Sequence, residues 1–342
     1  MTKFDADVIV VGGGLAGAAA AIVVARAGLK TIHLSPAGPP DRRTSALMMP
    51  SVDFLRSAGL IDRPDELGHA LTQIRIIDAT NRLIRAPETL FDAREAGLEA
   101  FGWNFANIRL LERFRETAEG LTGLETRSLG VTGLSGTTVT LADGTQLTAQ
   151  LIVGADGKKS LVRGAAGITV RETAFAQAAL VCDLEIGRPI GGTSIEFHYP
   201  QGPFTLVPAG ANRANLVWID DRAELEAARA SGEAALTATF LDKSQRLFGA
   251  IKIVSPAFVF PLSTLSVERA GTDSVVLVGE AAHAFPPIGA QGLNLGLRDV
   301  ADLAASIVQR GQDADDWAAD VSRDYAMRRA GDLARTGSVV DS

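Results

Sequence analysis

The stretch Leu277–Gly296, LVGEAAHAFPPIGAQGLNLG, concentrates residues that could do chemistry or let a ligand come close to the backbone. An apolar strand runs into four glycines, two adjacent prolines, Glu280 and His283, and then into a long apolar helix. Glycine and proline at this density indicate a turn where the backbone approaches another group. His283 has the chemistry of a base, but a loop histidine that orients the turn is the simpler interpretation. The stretch therefore predicts one wall of a ligand site.

The segment GGGLAG at 12–17 satisfies the G-x-G-x-x-G pattern between a predicted strand and a predicted helix. Gly12 would allow the tight turn, Gly14 would let backbone N–H groups reach a pyrophosphate, and Gly17 would let helix and strand pack closely. Leu15 and Ala16 open the helix, whose N-terminus favours an anion. A complete strand–helix–strand unit surrounds the pattern, so we expect a dinucleotide-binding site.

The second strand of this unit ends with Ser35, where dinucleotide-binding folds commonly carry an acid that binds the ribose hydroxyls. A serine hydroxyl can bond to a ribose without charge assistance. Ser35 together with the pair Arg42 and Arg43 also fits a pocket for the 2′-phosphate of NADP. From these residues alone, both interpretations stay open.

Regular alternation of elements must position these residues. Residues 6–35 predict a strand, a helix and a parallel strand, and 103–130 predict a helix and a strand. The next segment, 137–157, predicts a hairpin that feeds a buried strand, with its turn at Ala142–Gly144. Between 175 and 265 the sequence predicts mostly β-strands, interrupted by one predicted helix over about 222–248. After residue 265 the sequence again predicts a strand followed by helices, with helices from Gly292 onward.

Composition excludes several classes of function. The 342 residues carry a net charge of -7 with no basic stripe, so we expect no nucleic-acid partner. Cys182 is the only cysteine, which predicts a reducing cytoplasm. The four histidines lie far apart in sequence, so we expect no metal site. Neither a cleavable leader nor an apolar run of spanning length is visible, so we expect a cytoplasmic protein that at most contacts the inner membrane peripherally.

A third motif, GADG at 154–157, lies in the segment LIVGADGKKSLVR at 151–163. With GGGLAG and GEAAHAFPPIGAQGLNLG it stands in the order in which the class A FAD-dependent monooxygenases carry their motifs. The sequence thus resembles these aromatic hydroxylases, which are related to p-hydroxybenzoate hydroxylase, over nearly its whole length. An NADP-only dehydrogenase would lack the second and third motifs. The resemblance therefore implies that the bound dinucleotide is FAD.

The resemblance implies an α/β fold: a Rossmann-like FAD-binding domain of the p-hydroxybenzoate hydroxylase type, with an inserted, mostly antiparallel β-sheet domain for substrate and C-terminal helices. We expect the discontinuous FAD-binding domain to comprise 1–70, 101–174 and 265–310, and the substrate domain 71–100 and 175–264. The remaining 311–342 would be a C-terminal helical segment, and we expect the natural chain to continue beyond it or its end to fray.

Cofactor contacts carry over from the family by position. Arg43 matches an arginine that, in the family, reaches the phosphate and ribose of FAD. Asp156 matches an aspartate that lies near FAD and the nicotinamide. Glu280 stands where the family has an aspartate that binds the ribityl chain. Pro287 would line the reactive face of the flavin, and no side chain is assignable as a catalytic acid or base. The full set of expected cofactor-binding residues is Gly12, Gly14, Leu15, Ala16, Gly17, Ser35, Arg43, Asn107, Asp156, Glu280, Pro287, Gly289, Gln291, Gly292, Leu293 and Asn294.

Three shorter patterns resemble the ubiquinone-biosynthesis branch of the family. They are RTSALMMPSVDFLRSAGLID at 43–62, FGWNFANIRLL at 101–111, and Tyr325, Arg329 and Asp332 in YAMRRAGDLARTG. The resemblance implies hydroxylation of an aromatic ring, with a prenylated phenol as substrate, through a flavin C4a-hydroperoxide. O₂ would be the co-substrate, and NAD(P)H or a reduced ferredoxin-type protein the electron donor. It also implies partners in a ubiquinone-synthesis complex.

The expected cavity for the ring lies between the FAD-binding domain and the inserted sheet. Candidate lining residues are Phe197, Tyr199, Phe204, Leu206, Val207, Pro208 and Trp218, although strand alternation assigns about half of them to the sheet core. Other interpretations stay open at this point. They are a hydroxylase of another small aromatic substrate, a halogenase or prenyl-lipid reductase of the same fold, and a non-catalytic flavoprotein-like subunit of a ubiquinone-synthesis complex.

Overall fold

A computed structural model describes residues 4–80, 82, 85–286, 291–310 and 316–338, with the backbone alone at 291, 310 and 336–338. The strands of the first half are β1 (Ala6–Val11), β2 (Thr31–Leu34), β3 (Thr44–Met48), β4 (Gly68–Leu71), β5 (Gln73–Asp78), β6 (Thr89–Asp92), β7 (Gly102–Ala106), β8 (Leu124–Arg127), β9 (Val131–Ser135), β10 (Thr138–Leu141) and β11 (Gln146–Gly154). Those of the second half are β12 (Val170–Ile186), β13 (Thr193–Tyr199), β14 (Gly202–Pro208), β15 (Arg213–Asp221), β16 (Ile251–Ile253), β17 (Phe258–Val267), β18 (Gly271–Thr272), β19 (Val275–Leu277) and β20 (His283–Ala284).

The helices alternate with these strands. They are α1 (Leu15–Arg26), α2 (Met49–Ser57), α3 (Pro64–Leu67), α4 (Asn107–Glu119), α5 (Leu161–Ala165), α6 (Arg222–Ala230), α7 (Glu233–Lys243), α8 (Gln291–Arg310) and α9 (Trp317–Ser338). Two short 3₁₀ turns cover Ala93–Ala96 and Gly279–Ala281.

The first sheet is the centre of the cofactor-binding half. Its strands run in the order β18-β19-β11-β1-β2-β8, and β19, β11, β1, β2 and β8 pair in parallel. Apolar runs such as ADVIVV in β1 are buried on both faces, as parallel sheets require. Small residues of α1 let this helix pack closely over them. The predicted hairpin is confirmed, since β10 and the start of β11 pair antiparallel across the turn at 142–145.

The second sheet is large, and most of its pairs are antiparallel, as predicted. Its strands run β20-β17-β12-β15-β14-β13-β5-β6, with β16 beside β12, and only β13 and β5 pair in parallel. A third, small sheet contains β3, β7 and β4 in the order β3-β7-β4. The α/β fold with an inserted antiparallel sheet is thus confirmed, whereas the exact domain boundaries stay a prediction.

Two helix predictions were wrong. The helix expected over about 222–248 is two helices, because Gly232 adopts a φ of +91° that an α-helix does not allow and separates α6 from α7. The helix expected from 103 begins only at Asn107, since residues 102–106 pair with β3 and β4 as strand β7. Tertiary pairing outweighed the local pattern in that segment.

One face of the large sheet packs against α6 and α7 through an aromatic cluster. Phe204 lies 6.0 Å from Phe240 of α7 and 6.3 Å from Trp218, centroid to centroid, and Phe197 lies 6.1 Å from Phe204. Phe204, Phe240 and Trp218 are all buried. The cluster therefore joins the helices to the sheet on the side that we call the helix-side face.

We predict that Phe204→Ala lowers the free energy of unfolding by about 3–5 kcal/mol, because it opens a cavity inside this cluster. Leu90→Ala is the matched control, since Leu90 on β6 is half exposed and its loss should change stability by less than about 0.5 kcal/mol. Urea unfolding followed by circular dichroism measures both. Equal midpoints for the two variants would contradict the assignment of Phe204 to the core.

Candidate active site

Four strands of the parallel sheet end at the same level, and this edge assembles the three motifs. Val11 lies beside both Leu34 and Gly154, and Gly154 lies beside Leu277. The segments that follow these residues are 12–14, 35, 155–157 and 278–280. In open α/β sheets, ligands bind outside the carboxyl ends of the parallel strands. The motifs that are far apart in sequence therefore form one groove.

Backbone contacts explain the glycines of the first motif. A methyl group on Gly12, whose φ is +129°, would overlap the carbonyl oxygen of Ala155, and one on Gly17 would overlap the carbonyl oxygen of Gly12. Gly14 differs, because a methyl group there would meet no protein atom within 4 Å. Gly14 is exposed and precedes α1, so its neighbourhood is open where the helix N-terminus would attract an anion. This open cradle fits a pyrophosphate.

Ser35 lies against the glycine loop at the end of β2. It is partly buried, and a methyl group on Gly13 would press on its hydroxyl oxygen, 2.5 Å away. Its neighbour His33 is buried, and Nε2 of His33 donates to the carbonyl oxygen of Gly12 over 2.9 Å. Burial lowers the pKa of His33, outweighing the hydrogen bond to Gly12, which raises it. A buried histidine thus supports the turn from behind.

Arg43 and Asn107 meet at Asp41. Nε and Nη2 of Arg43 donate to the two carboxylate oxygens of Asp41 over 2.8 and 2.9 Å, and Nδ2 of Asn107 donates to the same carboxylate over 2.9 Å. Ser45 donates to Oδ1 of Asn107 over 2.7 Å. The hydrogen bonds to Asp41 raise the pKa of Arg43, and the charge of Glu280 adds to the effect. Asp41 therefore holds the guanidinium of Arg43 in place on the side of the groove.

Asp156 caps helix α5. Its Oδ2 accepts from the backbone N–H groups of Leu161 and Val162 over 2.7 and 3.1 Å, and its Oδ1 accepts from the hydroxyl of Ser160. Nη1 of the buried Arg163 donates to the carbonyl oxygen of Ala281 over 2.9 Å and so joins this motif to the third one. The side chain of Asp156 fixes the local backbone, and its predicted contact with cofactor stays a prediction.

The turn at 279–283 presents Glu280 to solvent at the groove while its other residues are buried. One carboxylate oxygen, Oδ2 of Asp299 in α8, accepts from the backbone N–H of Gly279 over 2.8 Å and from Nε2 of His283 over 2.6 Å. The side chains of His283 and Asp299 are each 1% exposed. Asp299 thus fixes both ends of the turn that carries Glu280, and His283 orients the turn.

A buried arginine of α9 compensates the charge of Asp299. Nε of Arg329 lies 2.7 Å from Oδ1 of Asp299, and Nη1 lies 2.8 Å from Asp302 and 2.6 Å from Asp332. Burial acts against the charged guanidinium, but these carboxylates outweigh it, and the pKa of Arg329 is raised. The hydroxyl of Tyr325 donates to the carbonyl oxygen of Leu277 over 2.7 Å. The YxxxRxxD pattern therefore anchors the third motif.

The start of α8 is bonded to the edge strand of the small sheet. Oδ1 of Asn294 accepts from the backbone N–H of Met48 and Nδ2 donates to the carbonyl oxygen of Ala46, each over 2.9 Å. Gly292 is exposed, and Leu293 packs against the core of the cofactor-binding half. Pro287, Gly289 and the side chain of Gln291, which were also predicted to contact FAD, lie outside the described residues.

The other face of the large sheet, opposite α6 and α7, turns toward the small sheet. Alternation and register assign to this second face Ala179, Val181, Asp183, Val207, Asn215, Val217, Ile219, Phe258 and Phe260. The side chain of Asn104 in β7 donates to the carbonyl oxygen of Pro208 and to Oδ1 of Asn215 over 2.9 and 2.8 Å. The cofactor groove and an apolar sheet surface thus lie on two sides of the small sheet's β3 and β7.

Most of the predicted cavity-lining residues belong elsewhere. Phe197, Phe204, Leu206 and Trp218 are buried in the cluster on the helix-side face, and Tyr199 packs against it. By alternation Pro208 shares that face, so that of the seven candidates only Val207 lies on the second face. The correction follows from register, since a shift of one residue moves a side chain to the opposite face.

Sequence reasoning missed Asp41, Asp299, Arg163 and the pair Asn104 and Asn215. A signal existed for Asp299, because it interrupts the apolar stripe of α8 formed by Leu297, Val300 and Leu303. A charge in a buried stripe requires a partner. Asp41 binds Arg43 two residues further on, but its second partner, Asn107, is distant in sequence. The bonds of Arg163 to Ala281 and of Asn104 to Asn215 also join distant residues, so local patterns do not reveal them.

Comparison with known proteins places the chain in a family. A profile described as FAD binding domain matches residues 5–334. The ubiquinone hydroxylase UbiL of Rhodospirillum rubrum is 33% identical over 321 residues, which cover 89% of this chain and 72% of that protein. The 3-demethoxyubiquinol 3-hydroxylase of Escherichia coli is 28% identical, over 97% of this chain and 87% of the other. The crystal structure of PqsL from Pseudomonas aeruginosa in complex with 2-aminobenzoylacetate shares the fold, with a TM-score of 0.83 and 22% identity over 97% and 94% of the two chains.

The chain belongs to the FAD binding domain family, and it is a class A FAD-dependent monooxygenase that hydroxylates an aromatic ring. The geometry of the groove fits FAD: the cradle at Gly14 is open, the hydroxyl of Ser35 lies beside it, and Glu280 and Arg43 are both exposed. Which of these side chains contact the bound cofactor stays a prediction.

We predict that Gly14→Ala folds normally but binds FAD at least about tenfold more weakly, because the added methyl group meets no protein atom and would occupy the cradle. Gly164→Ala in α5 is the matched control, since its methyl group also meets no protein atom within 4 Å. Thermal melting of the apoproteins and flavin titration measure the two effects. Unchanged FAD affinity in Gly14→Ala would contradict the placement of the pyrophosphate.

We also predict a pH effect at His33. Its pKa in the folded protein lies below the ordinary value of 6.5, so the unfolded chain binds the proton first as the pH falls. The contribution of His33 to stability is complete above pH 6.5 and is lost as the pH falls toward the folded-state pKa. His33→Gln keeps an N–H donor for Gly12 but does not titrate. Its free energy of unfolding should therefore depend less on pH between about 7.5 and 5.5 than that of the wild type, and equal slopes would contradict the assignment.

Proposed function

We propose that this enzyme hydroxylates the ring of a polyprenyl phenol in ubiquinone biosynthesis. The observation that carries the proposal is that the small sheet bonds through one strand to the second face and through another to the helix that borders the cofactor groove. Asn104 bonds to the second face, and its neighbour in the small sheet, Ala46, bonds to the start of α8. A ring held on the second face would lie close to a flavin in the groove. The names of the relatives, a ubiquinone hydroxylase and a 3-demethoxyubiquinol 3-hydroxylase, support the substrate class.

Residues of this chain would bind the cofactor at three points. The loop at Gly14 would hold the pyrophosphate, Glu280 the ribityl chain, and the backbone at Gly292 the flavin edge. Helix N–H groups favour negative charge, as develops on a reduced flavin. When bound, reduced FAD supplies the activated oxygen. O₂ is the proposed co-substrate, and NAD(P)H or a reduced ferredoxin-type protein the proposed electron donor.

The second face would hold the ring and exclude water. Val181, Val207 and Val217 are partly buried there and offer an apolar surface without competing hydrogen bonds. Exclusion of water protects a reactive oxygen species from wasteful decay. These valines therefore replace the aromatic side chains that the sequence had suggested as the lining of the cavity.

A prenyl tail would leave the cavity past two exposed rings of β17. Phe258 and Phe260 are 43% and 42% exposed, their centroids lie 6.1 Å apart, and they pair with Val181 and Ala179 of the second face. Among the described residues, no helix is long and apolar enough to cross a bilayer. The exposed rings lead us to propose an enzyme that takes its substrate from the surface of the inner membrane. A cytoplasmic location and partners in a ubiquinone-synthesis complex belong to the same proposal.

The proposal is tested with purified protein, FAD, NADH and 2-octaprenylphenol in detergent micelles, with mass spectrometry of the product. For the wild type we expect a product heavier by one oxygen atom. The variant Val217→Trp should lose at least about 90% of this activity, because the indole covers the apolar surface that would hold the ring. Flavin absorption of the variant should stay that of the wild type. Val308→Trp is the control, since Val308 on α8 is 79% exposed.

Two results would contradict the proposal in different ways. Protein that remains colourless with added FAD would indicate a non-catalytic subunit. Flavin-loaded protein that hydroxylates a small phenol and leaves the prenylated one unchanged would indicate a hydroxylase of another aromatic substrate. A deletion strain checks the pathway independently, because it should accumulate a prenylated phenol.

A further inference from the structure

A chain of polar side chains crosses from the small sheet to the second face. Nδ2 of Asn104 donates to Pro208 and Asn215, and Nδ2 of Asn215 donates to Oδ1 of Asp183 over 2.6 Å. Asn104 is 4% exposed and Asn215 is 8% exposed. Buried amides carry a cost unless their hydrogen bonds are made, so a chain of this kind requires an explanation.

The direction of the chain is fixed by its first donor. Both N–H groups of Asn104 are used, which makes Oδ1 of Asn215 an acceptor and points its N–H groups at Asp183. The chain therefore ends at a carboxylate. Within the described residues, Oδ1 of Asp183 accepts this bond, and no hydrogen bond reaches Oδ2.

Asp183 stands between an apolar and a charged part of the second face, since Glu185 and its neighbour Arg213 follow it on that face. Val181 precedes it by one position of the same face, and Asn215, its direct neighbour on β15, is followed on that face by Val217. On β14 the same row continues with Val207. Asp183 is only half-buried, so its side chain is partly open to solvent. One oriented acceptor thus stands at the end of the row of valines on the second face.

We propose that Oδ2 of Asp183 accepts the hydroxyl group of the phenolic substrate, with Asn215 and Asn104 as positioning residues. This inference rests on the proposed function. In the step itself, the phenolic O–H bond breaks, its proton passes to Oδ2, and its electron pair stays on the phenolate oxygen. The phenolate is the more electron-rich ring, and an electrophilic oxygen reacts with it faster. The hydroxylated ring then loses its C–H proton to solvent and regains aromaticity, and Oδ2 returns its proton to the ring oxygen of the product.

The apolar surface and this acceptor would together select phenols over phenyl ethers. An ether oxygen has no proton to donate, and a carboxylate placed against it loses solvation without compensation. Loss of one hydrogen bond to a charged group lowers the affinity for a ligand by about tenfold or more. The site is therefore a specificity filter for a free hydroxyl group on the ring.

The experiment compares 4-hexylphenol with its methyl ether, 4-hexylanisole, on the FAD-loaded full chain. Dissociation constants come from the change that each probe causes in the visible flavin spectrum. We expect the wild type to prefer the phenol by about tenfold. In Asp183→Asn, Asn215 still finds an acceptor, but an NH₂ group replaces Oδ2 and can donate to either probe. The preference should fall to within about twofold.

Asp221→Asn is the matched control, because Asp221 is an exposed carboxylate at the far end of β15 in the same sheet. Its preference should equal that of the wild type. A wild type without preference, or an Asp183→Asn variant that keeps it, overturns the role of Asp183 while hydroxylation of 2-octaprenylphenol still supports the proposed function. If neither probe alters the spectrum of bound flavin and no phenol is hydroxylated, the proposed function falls and this inference with it.

Discussion

Parallel pairing of β1, β2, β11 and β19 is the constraint on which the rest of the molecule depends. Parallel strands need long connections, so residues that follow them come from distant parts of the chain. Their carboxyl ends nevertheless meet at one edge, where Gly12 and Ala155 touch backbone to backbone. A side chain larger than hydrogen at Gly12 would separate β1 from β11 and open the groove. The cofactor site is thus a property of strand order before it is a property of any single side chain.

The cofactor-binding half could be predicted from sequence because its signals are local. Residues 6–26 contain an apolar strand, the glycine pattern and a helix of small residues, all close together in sequence. The structure has both elements where the pattern predicts them. The function was predicted from the three motifs and from their order along the sequence, which resembles that of the class A monooxygenases. Asn294 shows the limit of this reasoning, since its bonds to Ala46 and Met48 span about 250 residues of sequence.

The faces of the large sheet could not be predicted for a different physical reason. In β14 both Leu206 and Val207 are apolar, although Leu206 packs under the helix layer and Val207 lies on the opposite face of the strand. A strand that is apolar on both sides carries no alternation from which its inward face can be inferred. Phe204 and Trp218, which were expected to line the cavity for the ring, instead fill the space beneath α6 and α7.

The ion pair of Asp299 with Arg329 has a consequence for the order of events during synthesis. Asp299 holds the turn that presents Glu280, and its buried charge is costly until Arg329 compensates it. Arg329 belongs to the last described helix, so the ribosome adds it after every strand of the groove. The turn therefore reaches its final form only once α9 has emerged and docked. Nascent chains would therefore carry the glycine cradle before the turn at Glu280 is complete, so the two parts of the cofactor site form at different stages of synthesis.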